Sequence, residues 1–276
     1  MIECRLCGHP KPHKHGKMPN GHQRYFCRQC KQTFCENFDT LYYWRRVSPE
    51  QVQQVLQAHS EGCSLRGISR ITSLAYNTVV SIVRGASAKA QLIHNHQVEQ
   101  VETEEVSADE MWSFVKKQKQ CFAKELEVGD CWIGLSLANS SGLILAARVG
   151  KHTDELIEEL VVSTQGKTDC QQWNSDDWGG YERVLPPGVL HYIGKDKTQR
   201  LERTNGIVRQ QTSRWHRRQN KFGKLWDMTK VTTRLVVSYF NWIWQHSRFK
   251  TTAAWRAELT NRPWTWHDIV TYPTIL

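Results

Sequence analysis

The sequence predicts an α/β fold, a mixed five-stranded sheet with helices on its faces, preceded by two small N-terminal modules. Three observations carry this. From residue 98 onward the hydrophobic patterns follow the order β-β-β-α-β-α-β-α. Two Cys-x-x-Cys pairs stand within the first thirty residues, and three short amphipathic helical patterns lie between them and the sheet. A chain of 276 residues is long enough for about two domains with at least one proper core.

The first module, residues 1–40, holds Cys4-x-x-Cys7 and Cys27-x-x-Cys30, with nineteen residues between the pairs. Each pair sits on a turn that aims two thiolates at one ion, and two pairs complete a tetrahedral site suited to structural Zn²⁺. So short a segment lacks a core of its own, so the ion would hold it folded. Tyr25, Phe26 and Phe34 are expected to pack on the metal knuckles. His9, His13, His15 and His22 belong to a basic loop with Lys11, Lys14 and Lys17, because four Cys already fill the shell. Cys35 falls outside the spacing and reads as structural.

The second module, residues 46–88, opens with Ser48 as N-cap, Pro49 at the first helical position and Gln51 closing a capping box. Val52, Val55, Leu56 and His59 follow helical spacing, and Gly62 stops that helix. Leu65, Ile68 and Ile71 define a second helix, and Tyr76 begins a third. The pattern matches a helix-turn-helix whose third helix enters the major groove, with Tyr76, Asn77, Thr78, Ser81 and Arg84 facing DNA. It also fits a trihelical bundle that only packs. Ser87 to Gln97 reads as a polar linker.

The third segment, residues 98–226, begins with six acids from Glu99 to Glu110 and no Lys or Arg. It then alternates as a strand does: Val106, Ala108, Glu110, Trp112 and Phe114 on one face, Ser107, Asp109, Met111, Ser113 and Val115 on the other. Strands follow at Cys131 to Ala138 and Gly142 to Val149. A helix capped by Thr153 comes next, then a strand near Asp169 to Asn174 and a short helix in SDDWGGYERVL. A strand at Val189 to Gly194 leads to a helix from Thr198. The remainder, residues 227–276, is rich in Trp and helical in character, and packs on the core or pairs subunits.

A formal charge of +10 and a pI near 9.2 favour a polyanionic partner, most simply nucleic acid. The excess is concentrated: between Lys195 and Lys230 stand eleven Lys/Arg against three Asp/Glu. No signal or transit segment is visible, and the most apolar stretch, Leu235 to Trp244, is too short for a bilayer, so a cytoplasmic protein with no membrane partner is expected.

Within this basic background three carboxylates fall at strand and helix ends: Asp109 on the first strand, Asp176 just past the fourth, Glu202 on the helix after the fifth. Such ends are where an α/β sheet gathers its chemistry. Two Asp and one Glu make an oxygen-only site for Mg²⁺, and two such ions serve an in-line phosphoryl transfer. Asn205 and Arg209 share the helical face of Glu202 and are plausible DNA contacts.

Asp109-Glu110-Met111-Trp112, Ser175-Asp176-Asp177-Trp178-Gly179-Gly180-Tyr181-Glu182 and Thr198-Gln199-Arg200-Leu201-Glu202-Arg203-Thr204-Asn205 resemble the three catalytic boxes of the bacterial insertion-sequence-one transposase family. The two N-terminal modules look like that family's end-binding region. The resemblance implies an RNase H-like core with a DDE triad, carried here by Asp109, Asp176 and Glu202 and holding two Mg²⁺ or Mn²⁺. It implies a nucleoid-associated bacterial protein that binds the double-stranded terminal inverted repeats of a mobile element and target DNA. A homodimer or larger assembly is implied, since two ends must be joined. Lys195 matches a basic position before the third box, and Lys195, Arg203, Asn205 and Arg209 would position the strands. Two departures stand out: Asp177 occupies the place of a Gly and Thr204 that of a His. Glu110, which matches its box, is an acidic neighbour that alternation turns away from Asp109. The alternatives are a zinc-dependent DNA-binding regulator without catalysis and a metal-dependent nuclease without strand transfer.

Overall fold

The computed structural model describes residues 2–116, 127–194, 197–215 and 221–274. Strands β1 (His13–Lys17), β2 (Gln23–Phe26) and β3 (Thr33–Cys35) form an antiparallel sheet in that order. Its small core is Cys4, Tyr25, Cys27 and Phe34, flanked by Leu6, Cys30 and Phe38. Phe26 is not in it. Neighbours on a strand point to opposite faces, so burying Tyr25 turns Phe26 outward, where its ring meets His13 and His15 at 6.4 and 5.7 Å.

Helices α1 (Pro49–Ser60), α2 (Leu65–Thr72) and α3 (Tyr76–Gln97) follow. Ser48 and Gln51 form the expected reciprocal capping box, and Ser64 caps α2 by accepting from the Gly67 N–H. The run Ser87 to Gln97 is helix, not linker. Its Ala90 and Ile93, with Ala86 just before it, keep helical spacing and are buried on α7 and α9 of the tail described below. Ser87 and Lys89 are buried there too; Lys89 satisfies its ammonium on the carbonyls of Asp39 and Tyr272, at 2.7 and 2.6 Å. Polar letters thus hid an inward face.

The large sheet comprises β4 (Val106–Val115), β5 (Gly129–Ala138), β6 (Ile144–Gly150), β7 (Gln172–Ser175) and β8 (Leu190–Ile193), in the order β6-β5-β4-β7-β8. The first three are antiparallel; β7 and β8 run parallel to β4. Three antiparallel strands extended by two parallel ones on the side of the first is the RNase H-like arrangement. Helices α4 (Asp154–Gln165) and α5 (Gly180–Val184) pack together, with α4 on β5 and β6. Helix α6 (Gln199–Thr212) lies on β4.

The tail folds back as α7 (Trp226–Ser238), a π-helical turn (Tyr239–Ile243), α8 (Ala253–Arg256) and α9 (Trp266–Thr271). It packs on the core, filling the space between α1, α3 and the sheet, and its side chains tie the parts together. Trp266 Nε1 donates to Gln57 Oε1 at 3.1 Å. The Asn241 amide, on the π turn, both accepts from and donates to the backbone of Ile144, where β6 slips register against β5. One apolar core runs through α1–α3, the sheet and the tail. Among the described residues no helix is long and apolar enough to cross a membrane.

Candidate active site

Register brings the first two acids together. Val106 lies beside Trp173 and Ser107 beside Asn174 on the parallel strands β4 and β7. The same offset, continued, sets Asp109 level with Asp176. Both are half-buried, and each takes a backbone N–H: Glu110 donates to Asp109 Oδ1 at 2.8 Å and Trp178 to Asp176 Oδ1 at 3.2 Å. Asp177 is exposed. It is Asp176 whose charge acts on Asp109.

The third acid arrives on α6. Asn205 donates its amide to Asp109 Oδ2 at 2.7 Å and is 2 % exposed. This corrects its expected place on the DNA surface: Asn205 lies under the carboxylate instead. Its Oδ1 is buried without a hydrogen-bond partner among the described residues. Glu202, three residues earlier on the same helical face, is exposed. Arg209, one turn beyond Asn205, is half-buried and close enough for its charge to act on Asp109. Thr204 is buried, its hydroxyl donating to the Arg200 carbonyl. Arg203 is exposed; Lys195 lies outside the described residues.

Glu110 points the other way, as alternation requires. It is buried, accepts from the Tyr181 hydroxyl, and lies 3.8 Å from His152 Nε2. The His152 ring is stacked between Trp132 and Trp178, with centroids at 4.1 and 4.0 Å. Trp178 is the residue whose N–H holds Asp176, so the second box is locked to β4 from behind. A further network was missed by sequence reasoning. Glu105 accepts from Gln172, Asn174 and Asn139, and its ion pair with Lys197 measures 2.7 Å. The signal was present: Glu105, Ser107 and Asp109 share one face of a strand.

Burial first, then the charge of Glu110 and that of Asp176, raises the Asp109 pKa from 3.8 to about 6, although Arg209 and the Glu110 N–H pull the other way. The folded state therefore holds this proton more tightly than the unfolded chain, and stability falls as pH rises from about 4 through 6. Asp109→Asn should stabilise the protein without added divalent metal at pH 7–8 by up to about 3 kcal/mol, and by nothing at pH 4. Urea titrations at both pH values check this; an equal change at both would contradict it.

Among the described residues, the four thiols of Cys4, Cys7, Cys27 and Cys30 are the one group of three or more His, Cys, Asp or Glu whose ligand atoms all lie within 4.8 Å of one another. Sγ–Sγ distances of 3.7 Å (Cys4–Cys30) and 3.6 Å (Cys7–Cys27) match the roughly 3.8 Å edge of a tetrahedron with Zn–S of about 2.3 Å. The backbone N–H of Cys30 helps hold the Cys27 thiol down to about 7. The set is compatible with structural zinc. The carboxylates of Asp109, Asp176 and Glu202 are spread more widely. Two ions about 3.5–4 Å apart, each about 2.1 Å from its oxygens, would accept ligands up to about 8 Å apart, and an all-oxygen donor set is of the kind that suits Mg²⁺.

On the first turns of α3, Tyr76, Asn77, Ser81 and Arg84 are exposed and Thr78 is half-buried. Ser81 also takes Arg45 on its hydroxyl at 3.2 Å, and the Arg66 guanidinium lies 4.7 Å above the Tyr76 ring.

The chain is similar to proteins of known insertion elements. The chain is 33% identical over 110 residues to the insertion element iso-IS1n protein InsB of Shigella dysenteriae, covering 40% of this chain and 76% of that protein. It is 25% identical over 85 residues to the iso-IS1N protein InsA of the same organism, covering 31% and 90%. A crystal structure of the catalytic core domain of BIV integrase aligns with a TM-score of 0.34 and 13% identity over 61% of this chain and 94% of that one. A likeness of that size carries no weight for the fold, which rests on the strand order. The profile of the family described as IS1 transposase matches residues 103–242, from the strand that bears Asp109 to the π turn of the tail; the chain belongs to the IS1 transposase family.

Proposed function

We propose that this chain is a DDE transposase that cleaves the 3′ ends of an insertion element and transfers them to target DNA. The observation that carries the reading is the Asn205–Asp109 bond. It fixes the α6 face that bears Glu202 over the strand pair that bears Asp109 and Asp176. The three carboxylates would hold two Mg²⁺ or Mn²⁺, which would supply activation of the attacking oxygen and stabilisation of the leaving one. Asn205 orients Asp109 and keeps it from turning inward. The Glu110–Tyr181 contact and the Trp132–His152–Trp178 stack hold the Asp176 turn in place from the other face. Arg209 and Arg203 hold phosphates beside the acids.

The four N-terminal thiolates hold a structural Zn²⁺. The adjoining α1–α3 unit reads the terminal repeats through Asn77, Ser81 and Arg84 at the start of α3. Joining of two ends calls for at least two copies of the chain. Incubating the protein with labelled terminal-repeat DNA, a supercoiled target and Mg²⁺ tests the reading. Joined molecules are the expected product. Nicked DNA without joining would make it a nuclease, and binding without cleavage a regulator.

A further inference from the structure

Behind the acid-bearing face of α6, the helix and the tail line a cavity of about 410 Å³. Its walls include Arg200, Arg203 and Arg256 together with Trp244, His246 and Phe249. Among the described residues no carboxylate lines it, and none forms an ion pair with any of the three arginines. Two of the three guanidiniums are instead tethered by main-chain carbonyls: Arg200 to Asn139 and Ser140, Arg256 to Ser141 (2.7 Å) and Thr251 (3.0 Å). Such tethers fix position without cancelling charge. The Arg256 guanidinium also lies 5.6 Å from the Phe249 ring centre.

The molecule has made room for this cluster. Gly142 has φ +77°, and a Cβ there would come within 2.9 Å of an Arg200 nitrogen. The like charges act on one another. Burial and then Arg200 lower the Arg256 pKa, burial and then Arg203 lower that of Arg200, and four arginines add to burial in lowering His246. An unneutralised set of guanidiniums, two of them pre-positioned, is a site for an anion.

Its place says which anion. Arg203 follows Glu202 on the helix, about 100° further round, so a strand crossing Glu202 meets Arg203 next and the cavity behind it. We propose that this cavity holds a phosphodiester of the DNA strand that leaves the active site over α6, clamped by Arg203 and Arg256. The otherwise unassigned tail then serves as the outer wall of the DNA channel. Trp244 and Phe249 supply flat apolar surface for the adjoining sugar or base. The identity of the polyanion rests on the transposase reading; the charge geometry does not.

Binding of end DNA is measured without divalent metal, so catalysis plays no part. The variant is Arg203→Gln/Arg256→Gln, with Arg256→Lys in the Arg203 background as the charge-preserving control. The double variant should bind about tenfold more weakly at 0.15 M salt, and its log K against log[salt] slope should be shallower by about 0.9, the value for one phosphate. The lysine control should keep the slope. A second measurement compares each protein with itself across linkages, so a uniform loss of affinity in the variant does not enter. DNAs carrying one neutral methylphosphonate at successive linkages are compared, and one linkage near the cleavage site should weaken wild-type binding but not that of the double variant. An unchanged slope, or a variant that feels every neutral linkage as wild type does, would overturn the proposal. Joined products with an unchanged slope sink the clamp and keep the transposase reading; a changed slope without joining does the reverse.

Discussion

Glu202→Gln should abolish both 3′-end cleavage and strand joining, lowering the rate by about 10³-fold or more, while terminal-repeat binding stays within about twofold of wild type. A bound metal is worth several kcal/mol of charge stabilisation in the reaction, and each 1.36 kcal/mol is a factor of ten. Gln keeps the size and one acceptor oxygen but loses the charge. Glu202 is exposed on α6, so folding should not suffer, and the loss reports on the site alone. Asp109→Asn and Asp176→Asn should behave alike in the assay, whereas Asp177→Asn should retain most activity because Asp177 is exposed and it is Asp176 that accepts the Trp178 N–H. Full cleavage by Glu202→Gln would end the triad assignment.

The second large effect concerns the N-terminal thiolates. Stripping zinc with a chelator, or making Cys27→Ser, should unfold residues 2–40 and leave the rest folded. The physical reason is that the molecule has separate cores. The ribbon's is four buried side chains with three partners, far too little to offset the ordering of its backbone at about 1–2 kcal/mol per residue, whereas structural zinc contributes about 10–16 kcal/mol in small fingers. The larger core shares none of those residues. Hydrogen exchange should show protection lost only in the N-terminal segment, with terminal-repeat affinity down by at least about tenfold, or 1.4 kcal/mol. Uniform loss of protection would mean that the ribbon holds the whole chain together. The tail gives a route for such coupling, since Leu41 donates its N–H to Val270 of α9 and the Tyr42 hydroxyl meets His267.

The sequence by itself determined the elements and the chemistry each carries. Alternation through VSADEMWSFV located β4 and set Asp109 and Glu110 on opposite faces, because a strand has period two whatever packs on it. Ser48, Pro49 and Gln51 placed the start of α1 because a cap is local. Two Cys-x-x-Cys pairs were legible as one cluster because a metal knuckle is a property of a few consecutive residues.

Tertiary structure decided everything that depends on which elements meet. Ser87 to Gln97 looked like a linker because its polar letters outnumber its apolar ones, yet three well-spaced residues suffice to bury a helix once α7 and α9 supply the other surface. Asn205 read as a DNA contact because helical spacing shows which residues share a face, not what that face touches. Glu105 looked like one more charge in an acidic run, and only the adjoining strand turned it into an acceptor for three amides and Lys197. The arginine cavity was invisible for the same reason: Arg200 and Arg256 stand far apart in the chain, and charge acts through space.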